Sequence, residues 1–354
     1  MKRTIALLLA LTLSLSVAAC GQNDTDTQQG IATETQQESI ADTQQESTEV
    51  SLFPVTVTDQ AGRTVTIEEE PEKLVSGYYI STSLLIALDQ QEKLVGIEAK
   101  ADKRPIYALS APELIELPNV GTAKEFDLEG CAALEPDLVI LPLKLKNSVE
   151  TLESLGMTVI LVNPEDQDLL TEMIELVSTA TGSQEEAAEL LNFTEEKEME
   201  LTTALADVEK PTVYLAGNSS MLSTAGSEMY QSALIELAGG SNVADEITDT
   251  YWVDIDYEQL LAWDPEYIIL ASDADYTCED VKNDPNLASC QAVVNGNVYQ
   301  MPGDEEAWDS PVPSGILGAV WMASVLHPEQ ISQDTFDQME EEYYETFYDF
   351  SVEE

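Results

Sequence analysis

Apolar residues occur along this chain in three patterns, and each predicts a different element. The first is one long stretch from Ile5 to Ala19, interrupted only by Thr12, Ser14 and Ser16. The second is a set of short runs: Leu94 to Ile97, Leu138 to Leu141, Val159 to Val162, Val213 to Ala216 and Tyr267 to Leu270, with helical stretches between them. Runs this short and this continuously apolar read as strands buried on both faces, the form taken in parallel sheets. Strands alternating with helices predict an α/β fold whose helices cover largely parallel sheets. The third pattern runs from Ser183 to Val208, without proline or glycine. Its apolar positions gather at the ends (Ala187, Leu190, Leu191; Leu201, Leu205, Val208), and the middle from Thr194 to Glu200 is polar apart from Met199. A helix of that length reaches about 39 Å. Buried ends and an exposed middle are what a helix bridging two lobes requires; a surface helix inside one domain is the alternative.

Two segments superpose without gaps, Asp127 to Leu141 and Asp256 to Leu270. In each, a glutamate (Glu129, Glu258) opens a short helix, an acidic-Pro-acidic triplet ends it, and an apolar run follows. One architectural unit therefore occurs twice. The expected architecture is two Rossmann-like α/β lobes with largely parallel sheets, residues 51–182 and 209–354, joined by one long bridging helix over 183–208.

The first apolar stretch follows Lys2 and Arg3 and is too short for a membrane span, which needs about 20 apolar residues. Its charge and length are those of a secretory leader. It ends in Val17-Ala18-Ala19-Cys20, which resembles a bacterial lipobox, so residues 1–20 are expected to be a lipoprotein leader and Cys20 the lipidated residue. Residues 21–50 carry no aromatic and no basic residue and cannot bury enough apolar surface to order themselves. They are expected to form a disordered tether reaching about 30 Å. The chain is then exported and held at the outer face of the cytoplasmic membrane by its lipid alone.

Charge narrows the partners. With 68 acidic against 14 basic residues the formal net charge is −54, which excludes nucleic acid and anionic headgroups as natural partners. The basic residues concentrate in the first lobe, from Arg63 to Lys146, with only Lys197, Lys210 and Lys282 beyond it. An exterior location permits a disulfide, and one is expected between Cys278 and Cys290, which flank the loop-like Asn283-Asp284-Pro285-Asn286; Cys131 is expected as a buried small hydrophobe. No serine nucleophile elbow, phosphate-binding glycine loop or histidine in a polar loop supports an enzyme.

The order and spacing of several weak motifs are similar to those of the helix-bridged class of periplasmic binding proteins, which serves importers of ferric siderophores, haem and cobalamin. The motifs are Val57-Thr58-Asp59-Gln60-Ala61-Gly62-Arg63-Thr64-Val65 for an opening hairpin, Pro71-Glu72-Lys73-Leu74-Val75 for the first sheet strand, both repeated segments, and Val298-Tyr299-Gln300-Met301-Pro302. The resemblance implies a monomeric capture protein without a cofactor of its own. It would pass a small metal complex to an ABC permease dimer and its ATPase. It also implies that Glu129 and Glu258, one at the tip of each lobe, meet arginines on the two permease subunits. Exposed ion pairs of this kind set register more than affinity. A ligand sensor for a membrane receptor would need the same cleft without those glutamates.

In open α/β sheets the ligand lies beyond the carboxyl ends of the strands. The loops there hold Tyr78 and Tyr79, of which one is expected to face the ligand, Lys144, Asn218, Met221, Trp252 and Trp308; Arg104 is a further candidate. Aromatic residues at such positions suggest a broad, partly apolar ligand. Trp263 and Trp321, inside helical patterns, are expected in the core. Arg63 and Arg104 are the arginines beyond the leader, which favours a neutral hydroxamate complex or a corrinoid over a ferric tris-catecholate. The single histidine, His327, is expected to be structural, leaving a tyrosine as the candidate iron ligand for haem; haem or another small anionic solute is the alternative ligand. The absence of a histidine cluster speaks against bare zinc or manganese.

Overall fold

The computed structural model describes residues 52–248 and 252–352; the expected leader, Cys20 and tether lie outside the described residues. The chain opens with an antiparallel hairpin, β1 (Val55–Thr58) and β2 (Thr64–Ile67). The first lobe follows as β3 (Leu74–Ser76), α1 (Tyr79–Ala87), β4 (Leu94–Gly96), α2 (Pro105–Ser110), α3 (Leu128–Ala133), β5 (Leu138–Pro142), α4 (Val149–Ser154), β6 (Thr158–Val162) and α5 (Gln167–Thr181). The long helix α6 (Gln184–Ala204) comes next. The second lobe contributes β7 (Thr212–Ala216), β8 (Ser223–Ala225), α7 (Tyr230–Leu237), β9 (Ser241–Asn242), β10 (Trp252–Asp254), α8 (Tyr257–Trp263), β11 (Tyr267–Leu270), α9 (Cys278–Lys282), α10 (Gln291–Asn295) and β12 (Val298–Gln300). Two helices, α11 (Ile316–Leu326) and α12 (Gln333–Tyr348), complete the chain.

Each lobe holds a four-stranded parallel sheet, in the order β4-β3-β5-β6 and β12-β11-β7-β9. Because successive strand side chains point to opposite faces, each sheet serves two cores. In the first lobe Leu138 and Ile140 of β5 face one core while Val139 and Leu141 face another; in the second, Val213 and Leu215 of β7 divide from Tyr214 and Ala216 in the same way. One core is shared: Leu138, Ile140, Val213 and Leu215 join a cluster that also contains Leu84 of α1, Leu190 and Leu201 of α6, Leu317 of α11 and Tyr343 of α12. Packed cores resist continuous deformation, so the lobes are braced by more than the long helix.

The repeat corresponds residue by residue. Asp127 and Asp256 cap α3 and α8, accepting from Gly130 N at 2.9 Å and Gln259 N at 2.8 Å. Glu135 and Asp264 take left-handed backbone angles, φ 52° and 46°, that turn the chain ahead of Pro136 and Pro265. The next acid then reaches the first strand of its own sheet: Asp137 accepts from Glu72 N and Lys73 N at 3.0 and 2.9 Å, and Glu266 accepts from Thr212 N at 2.9 Å.

Three expectations are corrected. Cys278 and Cys290 are separate free thiols. Cys290 is buried in the second lobe's own core and Cys278, in the first turn of α9, packs against that core, so both act as small apolar residues. The middle of the bridging helix is exposed on one side only: Glu195, Glu196, Met199 and Glu200 are exposed as expected, but Lys197 is buried and Thr194 and Glu198 are half-buried. Helix α12 touches the other side, with Phe193 edge-on to Tyr343 and Phe347; Lys197 is buried over the Phe193 ring, 3.5 Å from Glu200 and 3.6 Å from Glu342. Finally, α12 is not confined to the second lobe, since Tyr348 Oη and Ser83 Oγ of α1 are 2.8 Å apart.

Candidate functional site

The carboxyl ends of the strands open onto a cleft of ≈530 Å³, within the range of about 300–1,000 Å³ usual for small-molecule sites. From the first lobe its wall receives Tyr78 and Tyr79 beyond β3, Lys144 beyond β5, and Pro164 and Glu165 beyond β6. The second lobe supplies Asn218 and Ser219 beyond β7, Tyr230 and Gln231 at the start of α7, Trp252 on β10, and Asp309, Ser310 and Pro311 beyond β12.

Tyr78 and Tyr79 both line the cleft, where one was expected, and meet edge to face with ring centroids 5.2 Å apart. Tyr78 precedes α1 in an extended conformation that turns its side chain out of the helix. The Arg104 guanidinium sits 4.0 Å from the Tyr79 ring centroid, a cation–π contact. Arg104 itself lines a small neighbouring cavity with Glu305 and Glu306, so it borders the cleft through Tyr79. Trp252 is 40% exposed and rests on Gly217, where an added Cβ would come within 2.7 Å of the indole. Glycine at 217 is what lets the indole lie flat on the strand end.

Two candidates leave the site. Trp308 is fully buried; its Nε1 donates to Tyr344 Oη at 3.0 Å and its ring meets Phe336 edge-on. Helix α12 supplies both the apolar cover and the acceptor that a buried indole needs, while the following residues, Asp309 and Ser310, reach the cleft. Met221 packs on the second lobe's own core, and its main-chain carbonyl accepts from Tyr214 Oη at 3.0 Å. His327 is buried beside Gly239 O, at 3.1 Å from Nε2.

Three buried carboxyls stand close by, none of them singled out beforehand among so many acids: Asp309 in the cleft wall itself, and Glu98 and Glu306 next to Tyr79 and its partner Tyr107. Glu98 accepts from Thr82 Oγ1 at 2.6 Å and Tyr107 Oη at 2.7 Å, Glu306 accepts from Ser314 Oγ, and Asp309 accepts from Ser272 N at 3.3 Å. Burial raises the pKa of each, against the hydrogen bonds that favour the charged form. Burial also raises Tyr79, opposed by the hydrogen bond from Ser310 and the charge of Arg104. Glu165, Tyr230 and Gln231 were also missed; Glu165 follows directly on a strand end, and the rule used for the other loops points to it.

Glu129 and Glu258 are exposed in the first turns of α3 and α8. The capping role is filled by Asp127 and Asp256, and neither glutamate enters an ion pair among the described residues. No helix of the described residues is long and apolar enough to cross a membrane.

A family model described as periplasmic binding protein matches residues 74–305. The molybdate-binding protein MolA of Haemophilus influenzae is 27% identical over 319 residues, 82% of this chain and 90% of that protein. Its molybdate-bound structure superposes with a TM-score of 0.74 at 25% identity, covering 84% of this chain and 99% of the other. The ABC transporter substrate-binding lipoprotein YvrC of Bacillus subtilis is 25% identical over 296 residues, 80% of this chain and 89% of its own. A cobalamin-binding protein of Halobacterium salinarum is 25% identical over 228 residues, 63% of this chain and 60% of its own.

Proposed function

The chain belongs to the periplasmic binding protein family, the solute-binding subunits of ABC transporters, and from that premise we propose that its solute is a metal chelate, a ferric siderophore or a corrinoid. The observation that carries this reading is the make-up of the cleft: ≈530 Å³, walled by Tyr78, Tyr79, Tyr230 and Trp252, with Lys144 as the basic and Glu165 and Asp309 as the acidic side chains among its described lining residues. A bare tetrahedral oxyanion would leave most of that volume to water and would bring negative charge to a wall with more acid than base. A broad, near-neutral complex instead covers the aromatic faces. The name of the molybdate-binding relative supports a second reading, a small anion held near Lys144 and Arg104.

In the proposed cycle the protein is held by lipid on Cys20, as the name of the Bacillus relative supports, and docks through Glu129 and Glu258 on the two halves of a permease. Its own chemistry is capture and release; no bond in the solute is made or broken. The test is tryptophan fluorescence and thermal melting of the purified protein with cobalamin, cobinamide, haem, molybdate, and ferric hydroxamate, citrate and catecholate complexes. A saturable quench with a raised melting temperature is expected for a corrinoid or a hydroxamate, since a ligand bound only by the folded state stabilises it. Response to molybdate alone would replace the chelate by the anion.

A further inference from the structure

Gln231 is the second residue of α7, only 5% exposed, and lines the cleft. Its Nε2 donates to the main-chain carbonyl of Asp309 at 2.7 Å. That bond fixes the amide: the NH₂ group must face the carbonyl, so Oε1 faces away from it. Oε1 has no hydrogen-bond partner among the described residues, and neither does Oη of the adjacent Tyr230. Buried polar atoms are nearly always paired, and one left unpaired at a binding site costs stability until something supplies the partner.

We propose that Gln231 Oε1 is the acceptor for an amide N–H of the captured solute, so that the cleft selects amide-bearing chelates over oxyanions. An amide N–H completes the orphan acceptor. The oxygen of molybdate or of a carboxylate brings no proton and would face a carbonyl oxygen lone pair to lone pair. Asp309, 3% exposed, presents its main-chain carbonyl to the amide NH₂, so this part of the wall offers acceptors, and an oxyanion gains no donor from it. Corrinoid side chains and peptide hydroxamate siderophores both carry amide N–H groups, whereas citrate and molybdate carry none. The inference rests on the chelate reading and names the feature by which such a chelate is recognised.

Titration calorimetry of the purified protein with cobinamide, ferrioxamine B, ferric citrate and molybdate tests it, comparing wild type with Gln231→Met and Gln231→Glu. Methionine keeps the volume and removes the acceptor; affinity for the amide-bearing probe that the wild type binds should fall roughly tenfold or more. A buried, protonated glutamate can donate to the Asp309 carbonyl and still accept through its other oxygen, so Gln231→Glu should stay within about threefold. A packing role predicts the reverse order, with methionine tolerated and glutamate not. Melting curves without ligand check that each variant folds, and Gln231→Leu makes the same comparison if methionine does not. Wild-type binding that survives Gln231→Met within about twofold overturns this inference and leaves the chelate reading intact. Binding of ferric citrate alone overturns the inference; binding of molybdate alone, or of none of the four probes, overturns both.

Discussion

The two lobes are built alike in the helix-turn-strand unit that each repeats and unlike where they line the cleft. The Asp127 cap, exposed Glu129, left-handed Glu135, Pro136 and the Asp137 clamp recur as Asp256, Glu258, Asp264, Pro265 and Glu266. The cleft walls share no such correspondence. The first lobe offers Tyr78, Tyr79, Lys144 and Glu165, and the second offers Gln231, Trp252, Asp309 and Ser310. A repeated unit supports a repeated contact, which suits docking on a permease of two equivalent halves. An asymmetric solute needs unlike walls. Conversely, nothing in the scaffold dictates the cleft, and function has to be read from the site itself.

The largest effect that would sharpen this contrast lies in the tryptophans. Trp308→Ala removes a fully buried indole together with its bond to Tyr344 and should cost about 3–5 kcal/mol. Trp252→Ala, at a half-open rim, should cost no more than about 1 kcal/mol while abolishing most of the ligand-induced quench. Denaturant unfolding beside a fluorescence titration separates the two; equal costs would place Trp252 in the core and remove it from the cleft.

A middle-sized effect tests the repeat. Glu266→Ala leaves Thr212 N without its carboxylate in a half-buried setting and should cost about 1–2 kcal/mol, and Asp137→Ala, at an exposed site where water can substitute, about 0.5–1.5 kcal/mol. The expected order follows exposure alone. A clamp effect confined to one lobe would mean that the equivalence seen in the backbone does not extend to the energetics.

The same contrast explains what was legible in the sequence. Strands buried on both faces leave continuous apolar runs, and a duplicated turn leaves its Pro and acids at matching offsets, so sheets, repeat and long helix could be read locally. Trp308 could not, because its environment comes from Tyr344 and Phe336 on a helix formed much later in the chain. Lys197 looked like part of a solvated stretch, yet α12 buries it against Glu342. Gln231 sits in an ordinary helical pattern, and only the fixed orientation of its amide reveals the unpaired oxygen. Sequence pattern reports a residue's own element; it is silent on partners brought by tertiary packing.

The smallest expected effect on stability is also the sharpest test of why the two repeated units match. Glu129→Lys and Glu258→Lys change exposed carboxylates that cap nothing and pair with nothing among the described residues. A lysine in the first turn meets the positive end of the helix, a penalty of about 0.3–1 kcal/mol each, so melting and solute affinity should barely move. If each glutamate meets one half of the permease, uptake in cells should fall with one reversal and fall further with both, and compensating reversal of the facing permease charges should restore it. Loss of uptake from one reversal only would mean that the two glutamates are used unequally. Undiminished uptake with both reversed would leave the duplicated glutamates without a docking role and would favour a sensor that presents its loaded cleft to a different receptor.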